Sequence, residues 1–271
     1  MSDDRSRWRV EHGTRPDLDD IDPASKAGAP GGKSETNDSL PGLHETLADL
    51  QGRLWGEGSR SLLVVLQAMD AAGKDGTVKH VFAGLNPMGV RAVAFKAPSE
   101  EELSHDFLWR IHANAPRRGE VGIFNRSHYE DVLIARVEGL VPETMWRARY
   151  GAIRDFEELL TSAGTTIVKI YLHISLDEQA ERFRARLDDP TKRWKFSAGD
   201  LDVRKRWADY MDAYRDAIEE TSTRESPWYV VPADHKWYRN WAVSRILIET
   251  LQDMDPQFPP EEPGLDDIVI E

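Results

Sequence analysis

Short apolar segments alternate with amphipathic ones along the middle of the chain. The apolar segments have the length of strands and lie at 62–67, 90–95, 121–124, 166–173 and 228–232. Helical patterns are predicted at 43–56, 77–84, 100–113, 128–136, 143–162, 176–187, 200–221 and about 236–252. Strands separated by helices predict a parallel sheet with helices on both faces. Ligands of such sheets bind at the carboxyl ends of the strands.

The two ends of the chain have a different character. Residues 1–40 are rich in Asp, Gly, Pro and Ser with little periodicity, and we expect them to be a disordered acidic segment. Residues 253–271 combine prolines with acids, so they are predicted to form a disordered acidic tail. The intervening residues 41–252 are expected to form the folded domain.

The composition excludes several classes of protein. The chain has 271 residues, a formal charge of −13 and no Cys, which rules out disulfides and thiolate metal sites. Nine acids and six bases lie in 1–40, and seven acids without a base lie in 251–271. The centre is therefore nearly neutral, and the overall acidity does not argue against a phosphate site. Lacking a membrane-length apolar run and a signal-peptide pattern, the chain is expected to be cytoplasmic, without membrane contact.

Residues 62–77 have the pattern of a phosphate-binding loop. An apolar strand leads into a turn of small residues that ends in Gly73-Lys74, and a helix follows. The usual first Gly of this pattern is Ala68, and Asp75 stands at its Ser/Thr position. A carboxylate inside the loop, Asp70, would repel phosphate unless a cation lay between them, which predicts a Mg²⁺-phosphate substrate. Gly-Lys alone also fits a plain surface turn, but the flanking strand and helix favour phosphate binding.

A second polar motif follows the strand at 121–124. Asn125 occupies the place where nucleotide-binding P-loop proteins usually carry an acid, and Glu130 and Asp131 can supply the missing charge one turn later. Arg126 suits bidentate phosphate binding, although an ion pair with a nearby acid explains it equally well. For His128 a structural role is favoured over a phosphohistidine intermediate. We expect Asp70, Lys74, Asn125 and Asp234, which all follow predicted strands, to converge on one crevice.

Basic residues are concentrated in 182–195, where six cations and two acids lie in fourteen residues. Such a segment is typical of a mobile lid that closes over a transferring phosphoryl group. A charged helix face in solvent is the alternative. Further cations near the predicted strand ends favour a long polyanion over one small nucleotide, and they are Lys79, Lys96, Arg117 and Arg118.

Several blocks together resemble the type 2 polyphosphate kinase family. They lie at 67–77, 95–98, 105–110, 124–131, 194–197 and 232–238. The resemblance covers roughly 43–250 and implies a P-loop kinase over 41–252. Its expected fold is a three-layer α/β/α sandwich with a five-stranded parallel sheet, similar to thymidylate kinase, and a helical lid at about 182–200. Members of the family transfer a phosphoryl group between inorganic polyphosphate and nucleoside mono- or diphosphates with Mg²⁺.

The resemblance also implies roles for individual residues. Asp70 would hold Mg²⁺, or Mn²⁺ in its place, and orient the acceptor phosphate, while Lys74, Arg126 and Glu130 complete the catalytic set. The implied nucleotide-binding residues are Ala71, Gly73, Asn125 and Asp131. Together with the cations near the strand ends, the predicted phosphate- and polyphosphate-binding residues are Ala72, Asp75, Gly76, Thr77, Lys79, Lys96, Arg117, Arg118, Arg182, Arg186, Lys192 and Lys195. The Asn at 125 resembles subgroups that accept AMP.

The expected reaction is a reversible, direct in-line transfer of the terminal phosphate of polyphosphate to AMP or ADP. One alternative is a nucleoside monophosphate kinase that uses ATP, and another is a non-catalytic module that binds polyphosphate or nucleotides. The near-neutral centre and the metal-binding loop argue against nucleic acid as a partner. The apolar, Trp-rich stretch 236–250 favours a homo-oligomer, either a dimer or a tetramer.

Overall fold

The structure is a computed structural model, and it describes residues 4–265 together with 268 and 270. Residues 1–3, 266, 267, 269 and 271, which belong to the two predicted disordered tails, lie outside the described residues. The strands are β1 (Arg9–Val10), β2 (Ser61–Gln67), β3 (Val90–Ala94), β4 (Val121–Asn125), β5 (Thr165–His173) and β6 (Trp228–Pro232).

Helices connect the strands. They are α1 (Lys33–Glu57), α2 (Lys74–Val81), α3 (Glu100–Leu103), α4 (Trp109–His112), α5 (Ile134–Val137), α6 (Glu143–Ser162), α7 (Leu176–Asp188), α8 (Gly199–Lys205), α9 (Trp207–Thr221) and α10 (Lys236–Met254). Short 3₁₀ turns occupy Asp4–Trp8, Pro87–Gly89, His128–Asp131 and Arg193–Lys195.

The apolar segments form one twisted sheet whose strand order is β1-β6-β5-β2-β4-β3. β2 lies in the middle and pairs in parallel with β4 and β5, and all seven of its residues are buried. This burial on both faces explains why the segment reads as a continuous apolar run rather than as an alternating pattern. α1, α2 and α10 pack together as one helical layer, while α5, α6 and α9 form another.

The predicted α/β sandwich is confirmed, but its strand count is wrong by one. Five strands run parallel as expected, and the short β1 adds a sixth that pairs antiparallel with β6. Arg9 faces Tyr229 and Val10 faces Trp228 in this register.

β1 belongs to a segment that was predicted to be disordered, and in the structure residues 4–40 are folded. The indole of Trp8 is 5% exposed, packs against Tyr238 and Trp241, and donates a hydrogen bond to the Tyr238 hydroxyl at 3.2 Å. Leu18 is buried as well, and α1 begins at Lys33 rather than near 43. A few well-spaced apolar residues thus anchor a segment whose composition is otherwise polar.

The stretch 236–250, on which the oligomer prediction was based, is not an exposed apolar surface. α10 packs against α1 and α2, and its side chains Trp241, Ile246 and Leu247 are buried inside the chain. The dimer or tetramer therefore stays a prediction without this support. None of the described helices combines the length and the apolarity needed to cross a membrane.

Candidate phosphotransfer site

The loop between β2 and α2 has the backbone geometry of an anion cradle. β2 ends at Gln67 and α2 begins at Lys74, so six residues make the turn. Ala71 and Gly73 both have positive φ, at 63° and 110°. A Cβ on Gly73 would overlap the guanidinium of Arg239, so this position requires glycine. The N-cap of α2 is Gly73, which has no side chain to accept from the first N–H groups of the helix, and such N–H groups favour an anion.

Lys74 lies inside this loop. Its side chain is buried, and Nζ donates to the carbonyl oxygens of Ala68 at 2.5 Å and Met69 at 3.4 Å. Burial lowers the pKa of Lys74, while the nearby carboxylate of Asp70 acts in the opposite direction. A positive charge is thus held where phosphate-binding loops place their lysine.

Asp70 and Arg126 meet across the crevice from neighbouring strands. Arg126 Nη2 donates to Asp70 Oδ1 at 3.0 Å, and both side chains remain partly accessible. Arg126 follows β4 directly and has a φ of +63°, which turns it away from the strand direction. Burial opposes the charge of Arg126, but Glu130 and Asp70 raise its pKa above the usual value. The sequence-predicted residues Asp70, Arg126 and Glu130 therefore lie in one electrostatic group.

A second polar chain links the loop to the predicted lid. Asn125 Nδ2 donates to Asp75 Oδ1 at 2.8 Å, and Lys195 Nζ lies 3.3 Å from Asp75 Oδ2. Burial works against ionisation of Asp75, yet the hydrogen bonds from Asn125 and Lys195 bring its pKa below the usual value. Lys195 belongs to the 3₁₀ turn Arg193–Lys195, so this part of the lid lies against the first turn of α2.

Arg182 has a different environment from the one expected of a lid cation. It is 7% exposed and its guanidinium donates to four carbonyl oxygens, those of Ala71, Ala72, Ala233 and Asp234, at 2.7–3.0 Å. Its Nε donates to Glu178 at 2.7 Å. Arg182 thus fixes the phosphate loop to the end of β6.

Arg239 is a loop neighbour that the sequence did not single out. It is 2% exposed, and Nη1 donates to Ala72 O at 3.2 Å while Nε and Nη2 donate to Asn240 Oδ1. Among the described residues no carboxylate pairs with it. Burial, assisted by Arg182, lowers the pKa of Arg239 to about 10. No sequence signal marks it, because α10 also carries Lys236, Arg245 and Glu249 and the order of residues does not show which of these charges is buried.

A buried polar network supports the 3₁₀ turn His128–Asp131. Glu157 accepts hydrogen bonds from Lys169 Nζ at 2.6 Å and from the Tyr129 hydroxyl at 2.8 Å, and His128 Nε2 lies 3.3 Å from it. His128, Tyr129 and Lys169 are all 0% exposed. His128 is therefore closed off from substrate and has a structural role. The network anchors the turn that carries Glu130 and Asp131, and its members Glu157 and Lys169 were not predicted.

The other residues predicted for the site in the loop, the lid and the turn after β4 contact other parts of the protein. Asp131 is half-buried and forms an ion pair with Arg149 at 3.1 Å; burial raises the pKa of Asp131. Arg186 donates to Lys195 O at 3.1 Å, and Lys192 pairs with Asp189 at 2.5 Å. Gly76 and Thr77 belong to α2, where the Thr77 hydroxyl donates to Gly73 O at 3.2 Å.

The four remaining predicted cations lie on the surface, but two of them lie far from the phosphate loop. Lys79 is exposed on α2, and Lys96 is exposed shortly after the carboxyl end of β3. Arg117 and Arg118 precede β4, and the neighbouring Gly119 N donates to Arg60 O just before β2. The structure therefore places this arginine pair at the amino edge of the sheet, opposite the phosphate loop, and does not bring it to the site.

The residues present suit a magnesium ion that is held mainly by its substrate. In the described ranges no three His, Asp or Glu side chains group together as a metal cage. Mg²⁺ in kinases needs one or two carboxylates and takes its remaining ligands from phosphates and water. Asp70, partly accessible at the loop, provides such a carboxylate.

The family model for polyphosphate kinase 2 (PPK2) matches residues 32–259 of this chain. This chain belongs to the polyphosphate kinase 2 family. It is 52% identical to the AMP/ADP-polyphosphate phosphotransferase of Meiothermus ruber over 98% of this chain and 99% of that one. It is 44% identical to the ADP-polyphosphate phosphotransferase of Rhodopseudomonas palustris over 95% and 93%.

A solved structure gives the same result for the fold. Polyphosphate kinase 2 from Arthrobacter aurescens superposes with a TM-score of 0.93 at 48% identity, covering 96% of this chain and 93% of that one. The P-loop kinase fold predicted from the sequence is thereby confirmed.

Proposed function

We propose that this protein transfers the terminal phosphate of inorganic polyphosphate to AMP and to ADP, in a reversible reaction that requires Mg²⁺. The observation that carries the proposal is a carboxylate, Asp70, inside a phosphate loop and paired with Arg126. A loop built only to bind a phosphate would not carry a negative charge at this point, whereas a loop that binds a metal–phosphate substrate gains a ligand. The match to the Meiothermus ruber enzyme along nearly the whole chain supports the choice of substrates.

The proposed step is a direct in-line displacement. An oxygen of the acceptor's phosphate forms the new P–O bond to the terminal phosphorus, and the bond to the bridging oxygen breaks. That oxygen leaves with the shortened chain. Mg²⁺, held by Asp70, would neutralise charge on the phosphate oxygens. Mn²⁺ is the expected substitute. No covalent intermediate with the protein is needed, so its task is alignment and charge neutralisation.

The chain's own residues divide this task between them. Lys74 and the loop N–H groups bind phosphate oxygens, and Arg126 contacts the transferring group with its planar fork. Glu130 raises the pKa of Arg126 and so helps to keep it charged. Lys195, which pairs with Asp75, brings the lid over the loop and limits the access of water.

The acceptor is tested by product analysis. Purified protein with Mg²⁺ and long-chain polyphosphate is supplied with AMP or with ADP, and the nucleotides are separated by chromatography. ADP from AMP and ATP from ADP are the expected products. AMP phosphorylation with ATP as donor but not with polyphosphate would instead support a nucleoside monophosphate kinase. Polyphosphate binding without product would support a non-catalytic module.

A further inference from the structure

Positive charge is concentrated on one flank of the phosphate loop, around the first turn of α10. Lys236 and Arg239 lie on α10, Arg182 on α7, and Lys192 just before the 3₁₀ turn of the lid. We call these four residues the α10 cation cluster. Lys236 lies at the surface, although the surrounding atoms partly desolvate its ammonium, in contrast to the buried Arg182 and Arg239.

The backbone of the loop brings the cluster together. Arg182 Nη1 and Arg239 Nη1 both donate to Ala72 O, at 2.8 and 3.2 Å. Arg182 Nη2 also donates to the carbonyl oxygen of Asp234, two residues before Lys236, at 2.8 Å. The two buried arginines thus contact the loop backbone, and Lys236 lies beside them at the surface.

The acids around the cluster are already engaged. Glu178 accepts from Arg182 at 2.7 Å, Asp189 pairs with Lys192 at 2.5 Å, and Asp234 Oδ1 accepts from Ser175 N at 2.8 Å. Within the part of the chain that the structure describes, Lys236 makes no hydrogen bond or ion pair. Partial burial and then Arg182 lower the pKa of Lys236, and Glu178 opposes them more weakly. Positive charge around this surface lysine is therefore not balanced by nearby acids, and a bound anion would balance it.

We propose that Lys236 binds a phosphate of the polyphosphate chain that is not itself transferred, on the flank of the loop next to Arg182. This inference rests on the proposed function, because polyphosphate is the substrate with charge beyond the reacting phosphates. A cation outside the loop acts on the part of the donor that a short chain lacks. Lys236 is therefore a determinant of affinity for long chains and takes no part in the transfer itself.

Steady-state kinetics with donors of different length test the proposal. Lys236→Met should raise the KM for long-chain polyphosphate about tenfold, the size of one lost charge-assisted hydrogen bond, while kcat and the KM for AMP stay within about twofold. With tripolyphosphate the same variant should differ little from wild type. Lys236→Arg keeps the charge and should recover most of the affinity. Lys205→Met is the matched control, since Lys205 is an exposed lysine that pairs with Asp202 at 2.8 Å.

Calorimetric titration of polyphosphate without nucleotide separates binding from turnover. Weaker binding of long chains by Lys236→Met, with Lys205→Met unchanged, supports the proposal. An unchanged affinity, or an equal loss for tripolyphosphate and long chains, overturns it. If wild type transfers no phosphate from polyphosphate to any nucleotide, the proposed function fails, and the same titrations still decide whether Lys236 contacts the chain.

Discussion

Replacing Arg239 by Met should separate stability from activity. Arg239 is buried behind the phosphate loop, where it shares Ala72 O with Arg182 and donates to Asn240. Met has a similar length and no charge, so it fills the same space. Arg182 still donates to Ala72 O in the variant, and the loop carbonyl keeps a partner.

The two effects of this replacement on the free energy of unfolding nearly cancel. A pKa lowered from 12.5 to about 10 means that burying the charged guanidinium costs about 3 kcal/mol at neutral pH, at 1.36 kcal/mol per unit. The variant is relieved of this cost. It loses the donors to Asn240 Oδ1, which costs about 1–3 kcal/mol for a buried acceptor left unpaired. The free energy of unfolding should therefore change by less than about 2 kcal/mol.

Phosphate binding should change much more. Arg239 is a buried positive charge without a carboxylate partner among the described residues, and it contacts the loop backbone at Ala72 O. We expect phosphate bound on the loop to act as its counter-charge. We expect Arg239→Met to lower kcat/KM with polyphosphate at least about tenfold, or about 1.4 kcal/mol. Urea denaturation measures stability and steady-state kinetics measures activity, both against Arg147→Met, which removes a half-exposed arginine from α6.

The reverse pattern would contradict a role for the Arg239 charge in substrate binding. A variant that loses more than about 3 kcal/mol of stability while its kcat/KM stays at the wild-type value would show that Arg239 is a structural residue whose charge does not act on substrate.

Three further changes test other parts of the structure. Glu157→Gln leaves Lys169 buried without its carboxylate, so urea denaturation should show a loss of about 3–5 kcal/mol; a loss under about 1 kcal/mol would contradict the ion pair. Trp8→Ala should lower the free energy of unfolding by about 3–5 kcal/mol, and an unchanged melting temperature would mean that the N-terminal segment does not pack in solution. Gly73→Ala forces a side chain into positive φ and onto Arg239, so kcat/KM should fall at least about tenfold; wild-type kinetics would contradict this.

The central sheet was predictable because its signals are local. β2, β4 and β5 are apolar segments bounded by polar turns, and the residues that follow them fall at the carboxyl edge in any parallel sheet. Asp70, Lys74 and Asn125 could therefore be placed together before any geometry was known.

Other features depend on partners that are distant in the sequence. β1 pairs with β6 more than two hundred residues away, and Trp8 packs on α10, so nothing within residues 1–40 reveals the contact. Arg182 reads as one cation in a basic segment, and the number of charges does not show that its guanidinium is used by backbone carbonyls. Arg117 and Arg118 precede their strand, and this order was the available sign that they lie at the opposite edge.

The most direct test of the account is the turnover of Asp70→Asn with polyphosphate and AMP. Asn keeps the size of the side chain and removes the charge that we propose holds the metal–phosphate substrate, so kcat should fall by about two orders of magnitude or more, while the melting temperature stays near wild type. Asp202→Asn is the control, since Asp202 is an exposed carboxylate that pairs with Lys205. Near-normal turnover by Asp70→Asn would contradict the proposed mechanism.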